Sequence, residues 1–352
     1  MTNFLGFDIG GTSIRSVALS RKDSENNGTE NQEAENSFFD HRQILRPESN
    51  EGLLEALAEI VSEHQPGAVG VGCAGFVTHE GVVVQSPNIA SLVNFPLRSA
   101  LEEKLRCPVV VENDAAAAAW AEAKAGAGRG VSNIAFVGFG TGIGGALVID
   151  GKLVRGVHGF GSEPGHLTVV PDGLECPCGR RGCWELYASG SALGRYARDA
   201  AERGDAPELI ALAGAELTDS PTASAASSQI TGEHVALLLA STSPAGTSLA
   251  DTSSSTSNNI AHALLSELCD WIAMGLNTLV VLTDPEMVVL GGGLSEMGKV
   301  FLHSVEEAYT RRYTSRDTRP SLSFALAEHT ETAGAVGAAL LGAQHWHSFT
   351  GT

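Results

Sequence analysis

Three glycine-rich turns, each directly after a short apolar segment, constrain the fold of this 352-residue chain most strongly. They lie at 8–12 (Asp-Ile-Gly-Gly-Thr), 138–142 (Gly-Phe-Gly-Thr-Gly) and 291–293 (Gly-Gly-Gly). The strand, turn and strand predicted at 134–149 approximately repeat those predicted at 4–19. Such a repeat predicts two related α/β halves.

These turns have the chemistry of phosphate-binding loops. Glycine lets backbone N–H groups approach phosphate oxygens without a Cβ in the way, and a nearby hydroxyl adds a donor. One such turn alone is more often a plain tight turn, but three at strand ends in related halves favour a nucleotide clasped between domains. The candidate nucleotide-binding residues are Gly10, Gly11, Thr12, Gly140, Thr141, Gly142, Gly291, Gly292 and Gly293.

Two common nucleotide motifs do not fit the chain. Residues 140–145 match the dinucleotide pattern G-x-G-x-x-G, but that pattern should open a helix. Here it runs into Ala146–Ile149 and the turn Asp150-Gly151, which predicts a hairpin and disfavours an NAD enzyme. The pattern G-x-x-x-x-G-K-[ST] does not occur, which excludes a P-loop enzyme.

Two aspartates suit phosphoryl chemistry. Asp8 adjoins the first glycine turn, and Asp114 follows the predicted strand 108–111 and begins the alanine-rich predicted helix 115–125. Phosphoryl transfer needs a metal ion on the phosphates and a group that orients and deprotonates the acceptor hydroxyl. We expect Asp8 to hold hydrated Mg²⁺ and Asp114 to be the base. The alternative is that Asn113 and Asp114 only cap the helix.

A cluster of metal-ligand residues lies in the middle of the chain. Three of the six cysteines fall within 176–183, ten residues after a histidine, and one imidazole with three thiolates forms a closed tetrahedral zinc site. The predicted ligands of a structural zinc ion are His166, Cys176, Cys178 and Cys183. The alternatives are free cysteines in a tight Gly/Pro turn, or a disulfide. Glu163 and Glu185 bracket the cluster and are candidates for the site that it positions.

Charge and composition exclude several classes of partner. The formal net charge is −19 and no run of Lys or Arg occurs, which argues against nucleic acid. The N-terminus lacks the basic region of a signal peptide, and no apolar run approaches the roughly 20 residues that span a bilayer. Cys73, Cys107 and Cys269 lie in apolar surroundings and suit reduced core residues of a cytoplasmic protein.

Three polar segments have little to bury. Residues 22–37 predict a mobile loop, and the Ser/Thr-rich stretches at about 218–228 and 241–259 predict surface inserts.

Taken in order, the motifs resemble those of the ROK family of sugar kinases and repressors, and within it the bacterial ATP-dependent glucokinases. The resemblance rests on Asp8-Ile-Gly-Gly-Thr12, Val111-Glu-Asn-Asp114, Gly140-Thr-Gly-Ile-Gly-Gly145, Glu163-Pro-Gly-His166, Cys176 to Glu185 and Val289-Leu-Gly-Gly-Gly293. It implies two actin-like (ribonuclease-H-like) α/β domains with a nucleotide and sugar cleft between them. The implied domains are 1–113 with about 333–352, and 114–332 with the zinc loop at 166–183. Such kinases are commonly dimers or tetramers.

The resemblance also implies residue roles. Asp114 would take the proton of the sugar 6-hydroxyl. The sugar-binding residues would be Gly75, Asn88, Asn113, Asp114, Glu163, His166 and Glu185. The first two glycine turns would approach the phosphates of Mg-ATP, and the triple glycine would lie near adenosine.

The implied reaction is ATP-dependent phosphorylation of glucose to glucose 6-phosphate. Many members differ at Gly72-Cys73-Ala74-Gly75, and an aromatic residue that often follows the segment at Pro87-Asn88 is missing, which leaves N-acetylglucosamine, N-acetylmannosamine or fructose as alternative substrates. A non-catalytic sugar-sensing regulator is disfavoured by Asp114 and by the seven residues before Asp8, where the repressors carry a DNA-binding segment. Polyphosphate as donor is disfavoured because glucokinases that use it generally lack the cysteine loop.

Overall fold

A computed structural model describes residues 2–21, 36–216, 222–242, 256–312 and 322–351. The strands of these residues are β1 (Thr2–Ile9), β2 (Ser13–Arg21), β3 (Asn36–Leu45), β4 (Ala68–Cys73), β5 (Phe76–Val77), β6 (Val83–Gln85), β7 (Val109–Asn113), β8 (Ile134–Phe139), β9 (Ile143–Ile149), β10 (Lys152–Leu153), β11 (Met287–Gly291) and β12 (Ser323–Leu326). The helices are α1 (Asn50–His64), α2 (Leu97–Leu105), α3 (Asp114–Ala125), α4 (Glu185–Ala188), α5 (Gly190–Glu202), α6 (Pro207–Ala215), α7 (Ala223–Ser228), α8 (Gly232–Thr242), α9 (Thr256–Thr283), α10 (Lys299–Arg312) and α11 (Ala333–Thr350).

Two five-stranded sheets formed by the described residues share one topology. The first has the order β3-β2-β1-β4-β7 and the second the order β10-β9-β8-β11-β12. Counted along the chain within each sheet, the third, second and first strands lie side by side and are followed by the fourth and fifth strands. The common order confirms the repeat that the glycine turns predict.

The chain divides into two compact units. The first comprises 1–136, 145–162 and 327–352, and the second comprises 137–144 and 163–326. This division differs from the predicted domains, because residues 114–136 and 145–162 belong to the first unit. Residues 114–125 form α3, which packs on the C-terminal helix α11 of the same unit.

The first unit is built on a buried sheet. β1 pairs antiparallel with β2 and parallel with β4, and β4 pairs parallel with β7. Leu5, Phe7 and Val71 are fully buried. α11 packs on β1 and β4, so closely that a Cβ added to Gly70 would lie 1.7 Å from the carbonyl oxygen of Ala338. A side chain at position 70 would therefore push the helix off the sheet.

β3 is an element that the sequence pattern does not predict. It lies at the edge of the first sheet and pairs antiparallel with β2. Its residues alternate between half-buried and exposed, and none is fully buried. Polar residues such as Asp40 and Arg42 break the apolar run, so pairing with β2 and not apolar periodicity identifies this strand.

Parts of the predicted polar segments lie outside the described residues, namely 22–35, 218–221 and 243–255. The remaining parts correct the prediction. Residues 36 and 37 begin β3, residues 223–228 form α7, residues 241 and 242 end α8, and residues 256–259 begin α9. Thr222 caps α7, since its hydroxyl oxygen accepts a hydrogen bond from the Ala225 N–H at 3.2 Å.

One helix among the described residues is long and apolar enough to cross a membrane, at Ile260–Thr283 within α9. This corrects the expectation that no such run exists. About half of its most apolar stretch, 56%, is buried, which is the pattern of a core helix. Leu268, Ile272 and Leu276 have no exposed surface.

Candidate functional site

In the first unit, the predicted catalytic and phosphate-binding residues gather at one edge of the sheet. β1, β4 and β7 run parallel, with Asp8 beside Gly72, Gly72 beside Glu112, and Cys73 beside Asn113. The carboxyl ends of these strands therefore meet at one edge, which is where ligands bind in open α/β sheets. Asp8 and Asn113 both lie at this edge.

Asp8 is a half-buried carboxylate at the end of β1. Its side chain is 18% exposed, and its nearest cation, the Arg15 guanidinium, lies 4.0 Å away. The N-terminus of α11 is close, because a Cβ added to Gly334 would lie 2.8 Å from the Asp8 carboxyl carbon. Burial, and then the charge of Asp114, raise the pKa of Asp8 to about 7. A bound divalent cation would relieve this unfavourable charge, so Asp8 fits a magnesium ligand.

Asn113 and Asp114 join β7 to α3. The Asn113 side-chain oxygen accepts a hydrogen bond from the Ala116 N–H at 3.0 Å, so Asn113 is the N-cap of α3. Asp114 Oδ1 accepts the N–H of Ala115 at 2.9 Å. Burial raises the pKa of Asp114 above its ordinary value. The cap explains Asn113, but capping by Asn113 does not require a half-buried acid at the adjacent position.

Gly75 and Asn88 lie at the same edge. The Asn113 amide nitrogen donates to the Gly75 carbonyl oxygen at 3.1 Å. Gly75 has φ +118°, and a Cβ there would lie 2.2 Å from the Gln85 carbonyl oxygen, so only glycine fits. Asn88 is exposed beside the glycine turn, because a Cβ added to Gly11 would lie 3.1 Å from the Asn88 Cβ. The structure thus brings together every predicted site residue of the first unit.

In the second unit, the predicted zinc ligands form a compact group. One ligand atom from each of His166, Cys176, Cys178 and Cys183 lies within 4.8 Å of all the others. Cys178 Sγ and Cys183 Sγ are 3.6 Å apart, and Cys176 Sγ is 3.8 Å from His166 Nδ1. Zinc with tetrahedral Zn–S bonds of about 2.3 Å places its sulfurs about 3.8 Å apart. The donor set and its spacing therefore fit zinc, and all six cysteines are free of disulfides.

Trp184 anchors this cysteine loop to the core of the second unit. It is fully buried, its indole N–H donates to the Trp271 carbonyl oxygen at 2.7 Å, and its ring meets Phe139 edge-on at 5.8 Å. Its backbone N–H also donates to Leu167 at 2.8 Å, which holds the loop against the segment that carries His166.

The two glutamates that bracket the loop have different surroundings. Glu185 Oε1 lies 3.1 Å from Cys176 Sγ and 3.3 Å from His166 Nδ1, so this carboxylate contacts the ligand cluster. A Cβ added to Gly142 would lie 2.5 Å from Glu185 Oε2, which brings the second glycine turn beside the same carboxylate. Glu163 begins a turn that closes by a hydrogen bond from the His166 N–H to the Glu163 carbonyl oxygen at 3.2 Å.

A cavity of about 970 Å³ opens in the second unit. Its lining includes Gly140, Thr141 and Gly293 from the predicted nucleotide set, but not Gly142, Gly291 or Gly292. The sequence motifs do not predict the remaining walls, which come mainly from α5, from α8 with the preceding Thr231, and from the segment after Gly293. They include Gly190, Ser191, Arg198, Thr231, Glu233 and Glu296.

The N-termini of two helices, α5 and α8, form part of the wall of this cavity. Gly190 and Ser191 begin α5, which Ser189 caps by accepting the Ala192 N–H at 3.2 Å. Gly232 and Glu233 begin α8. Helix N-termini favour anionic groups, so the walls suit a phosphorylated ligand. In the sequence, each of these helix starts is marked by a hydroxyl residue followed by glycine, at Ser189-Gly190 and Thr231-Gly232.

Comparison with known proteins matches the ROK family over residues 4–345. The chain belongs to the ROK family. The glucokinase of Streptomyces coelicolor is 34% identical over 340 residues, covering 95% of this chain and 96% of the relative. The N-acetylmannosamine kinase of Escherichia coli is 33% identical over 215 residues, which are 60% of this chain and 69% of that one.

A solved structure shares the architecture. The ROK family glucokinase of Streptomyces griseus, in complex with glucose and AMPPNP, superposes with a TM-score of 0.76 at 34% identity, covering 97% of this chain and 99% of that one. The fold is therefore the actin-like (ribonuclease-H-like) α/β fold, as the motifs predict.

Proposed function

We propose that this protein is an ATP-dependent hexokinase that converts glucose to glucose 6-phosphate. The observation that carries the proposal is the sheet edge of the first unit, where the half-buried Asp114 and Asp8 lie with Asn113 and the first glycine turn. The similarity to glucokinases of the ROK family over almost the whole chain supports it.

In the proposed reaction, Asp114 accepts the proton of the sugar 6-hydroxyl while the oxygen of that hydroxyl attacks the γ-phosphorus of ATP. The bond between that phosphorus and the bridging oxygen breaks, ADP leaves, and Asp114 returns the proton to solvent. Magnesium held at Asp8 would neutralise charge on the phosphates. Positioning by Asn113 and Gly75, together with general-base help, lowers the barrier.

The remaining roles complete the proposal. Glu163, His166 and Glu185 bind sugar hydroxyls, with His166 using Nδ1 for zinc and leaving Nε2 for the sugar. The cavity in the second unit takes the adenosine of ATP, with Gly140 and Thr141 near the phosphates. A cytoplasmic location and assembly into a dimer or tetramer are further parts of the proposal.

Initial rates with a panel of sugars at fixed Mg-ATP test the substrate. We expect kcat/KM for glucose to exceed that for N-acetylglucosamine, N-acetylmannosamine and fructose. The second candidate substrate is N-acetylmannosamine. The similarity to the N-acetylmannosamine kinase of E. coli, which extends over 60% of this chain, favours it. A higher kcat/KM for that sugar would select it, and the absence of turnover with all four would reject hexose phosphorylation.

The zinc loop gives a second prediction. Cys178→Ser removes an exposed ligand while Trp184 still anchors the loop, so we expect the unit to stay folded but to lose zinc. Because Glu185 contacts the ligand cluster, glucose affinity should fall at least about tenfold, and affinity for a non-hydrolysable ATP analogue should change less. Metal analysis and calorimetric titration of each ligand measure these effects.

Cys107→Ser is the matched control, since Cys107 is a free cysteine outside the ligand cluster. It should keep its zinc and both affinities. Equal loss of glucose and nucleotide affinity in Cys178→Ser would mean that the loop has only a structural role.

A further inference from the structure

An ion pair between a buried carboxylate and a partly exposed guanidinium lies in the first unit, directly beside the proposed base. Glu112 is the residue of β7 that precedes Asn113 and Asp114, and its side chain is only 7% exposed. Its Oε2 contacts the Nε of Arg155, whose side chain is 37% exposed. Glu112 lies within the motif Val111-Glu-Asn-Asp114 but has no role assigned to it, and Arg155 lies outside the motifs. The proposed reaction does not use either of them.

Glu112 holds the backbone at the point where the strand becomes the helix. Its Oε1 accepts a hydrogen bond from the Asn113 N–H at 3.0 Å. Asn113 in turn caps α3 and donates to the Gly75 carbonyl oxygen. The Glu112 carboxylate is thus hydrogen-bonded to the backbone just before Asp114, so its orientation affects the position of that backbone.

Arg155 approaches from a separate segment, which its own contacts hold in place. The loop from 155 to 161 is closed by a hydrogen bond from the Gly161 N–H to the Arg155 carbonyl oxygen at 2.9 Å. Phe160 packs edge-on against Phe76 with ring centroids 5.4 Å apart. His79 Nε2 lies 2.9 Å from the Gly156 carbonyl oxygen. The guanidinium is therefore presented to Glu112 from a loop that is itself fixed.

Charge and burial give this pair a clear physical role. A buried carboxylate without its cation carries a large desolvation penalty, and it reorients toward water or other donors. Reorientation would release the Asn113 N–H and move the start of α3. Misplacing a catalytic group by about 1 Å can cost about a hundredfold in rate.

We propose that Glu112 and Arg155 form a positioning pair that fixes the Asn113–Asp114 junction for catalysis. Arg155 acts through Glu112 and touches neither substrate. This inference rests on the proposed function, because the rate that it affects is that of phosphoryl transfer to the sugar.

The test is a double-mutant cycle measured by steady-state kinetics on the full chain. Arg155→Met should lower kcat about ten- to a hundredfold, with KM for glucose and for Mg-ATP changing less than about threefold. Arg155→Lys keeps the charge and should recover part of the loss. Glu112→Gln keeps an acceptor for the Asn113 N–H and should lower kcat by about threefold to tenfold.

The double variant Glu112→Gln with Arg155→Met separates positioning from other roles. Removing the unpaired charge should restore kcat to within about threefold of Glu112→Gln alone. If the two losses simply multiply, Arg155 acts independently of Glu112 and the inference is wrong.

Arg42→Met is the matched control, because Arg42 is 34% exposed and pairs with Asp40 and Glu63 rather than with Glu112. If Arg155→Met lowers kcat no more than Arg42→Met does, the inference is wrong. If Arg155→Met does not fold, the kcat of Glu112→Gln is the test. An unchanged kcat in that variant means that the inference is wrong. A wild-type chain inactive on every sugar rejects the proposed function instead.

Discussion

Asp114→Asn is expected to lower kcat for glucose by about a hundred- to ten-thousandfold, the usual contribution of a general base. The amide has almost the same shape and can still accept the Ala115 N–H, but it cannot take up a proton. The KM for glucose should change by less than about threefold. Steady-state rates at saturating Mg-ATP, together with calorimetric titration of glucose, measure both quantities.

The pH profile of kcat checks the same assignment. Burial raises the pKa of Asp114, and the base works only when it is deprotonated. Activity of the wild-type chain should therefore fall with decreasing pH, and should do so at a higher pH than for an ordinary aspartate. The residual rate of Asp114→Asn should lack this acid limb. The substitution also removes the Asp114 charge that helps to raise the pKa of Asp8, so any limb due to Asp8 should move to lower pH.

Asp150→Asn is the control, since Asp150 is exposed and has φ +51°, a conformation that asparagine tolerates. It should leave kcat unchanged. Wild-type turnover in Asp114→Asn would refute the role of Asp114 as the base.

Glu122→Ala is expected to destabilise the first unit by about 3–5 kcal/mol. Glu122 is a fully buried residue of α3. Its carboxylate accepts three backbone N–H groups, from Ala127 at 2.9 Å, Glu328 at 3.1 Å and His329 at 2.7 Å. Alanine leaves all three donors without an acceptor, and each buried unsatisfied group costs about 1–3 kcal/mol.

The midpoint of thermal unfolding and hydrogen exchange at residues 328 and 329 measure this effect. Exchange there should accelerate, because those amides lose their acceptor. Glu55→Ala on α1 is the control, since the Glu55 side chain is 65% exposed and lies 3.8 Å from Lys104. An unchanged midpoint in Glu122→Ala would mean that water or other acceptors replace the carboxylate.

The sequence predicts the repeated architecture and most of the site because both depend on local signals. Glycines that follow apolar strands, and an acid at the end of β7, can be recognised without knowing the packing. The zinc ligands are equally local, since three of them lie within eight residues. Their spacing in the structure fits the predicted metal.

Other features depend on contacts between distant segments. Glu112 meets Arg155 across 43 positions, and Glu122 meets His329 across 207. Neither contact has a periodic pattern or a motif. The cavity in the second unit needs two helix starts at 190 and 232, which only tertiary structure brings together. The sequence pattern does not predict the edge strand β3, because its residues are too polar to indicate a buried strand.

The position of α11 has a consequence for how the chain folds during synthesis. This helix packs on β1 and β4, so the sheet that carries Asp8 gains this cover only after residues 333–350 are made. The second unit, apart from a short segment at 137–144, is one continuous stretch that ends earlier, at 326. We therefore expect the second unit to complete its fold during synthesis before α11 covers the first sheet.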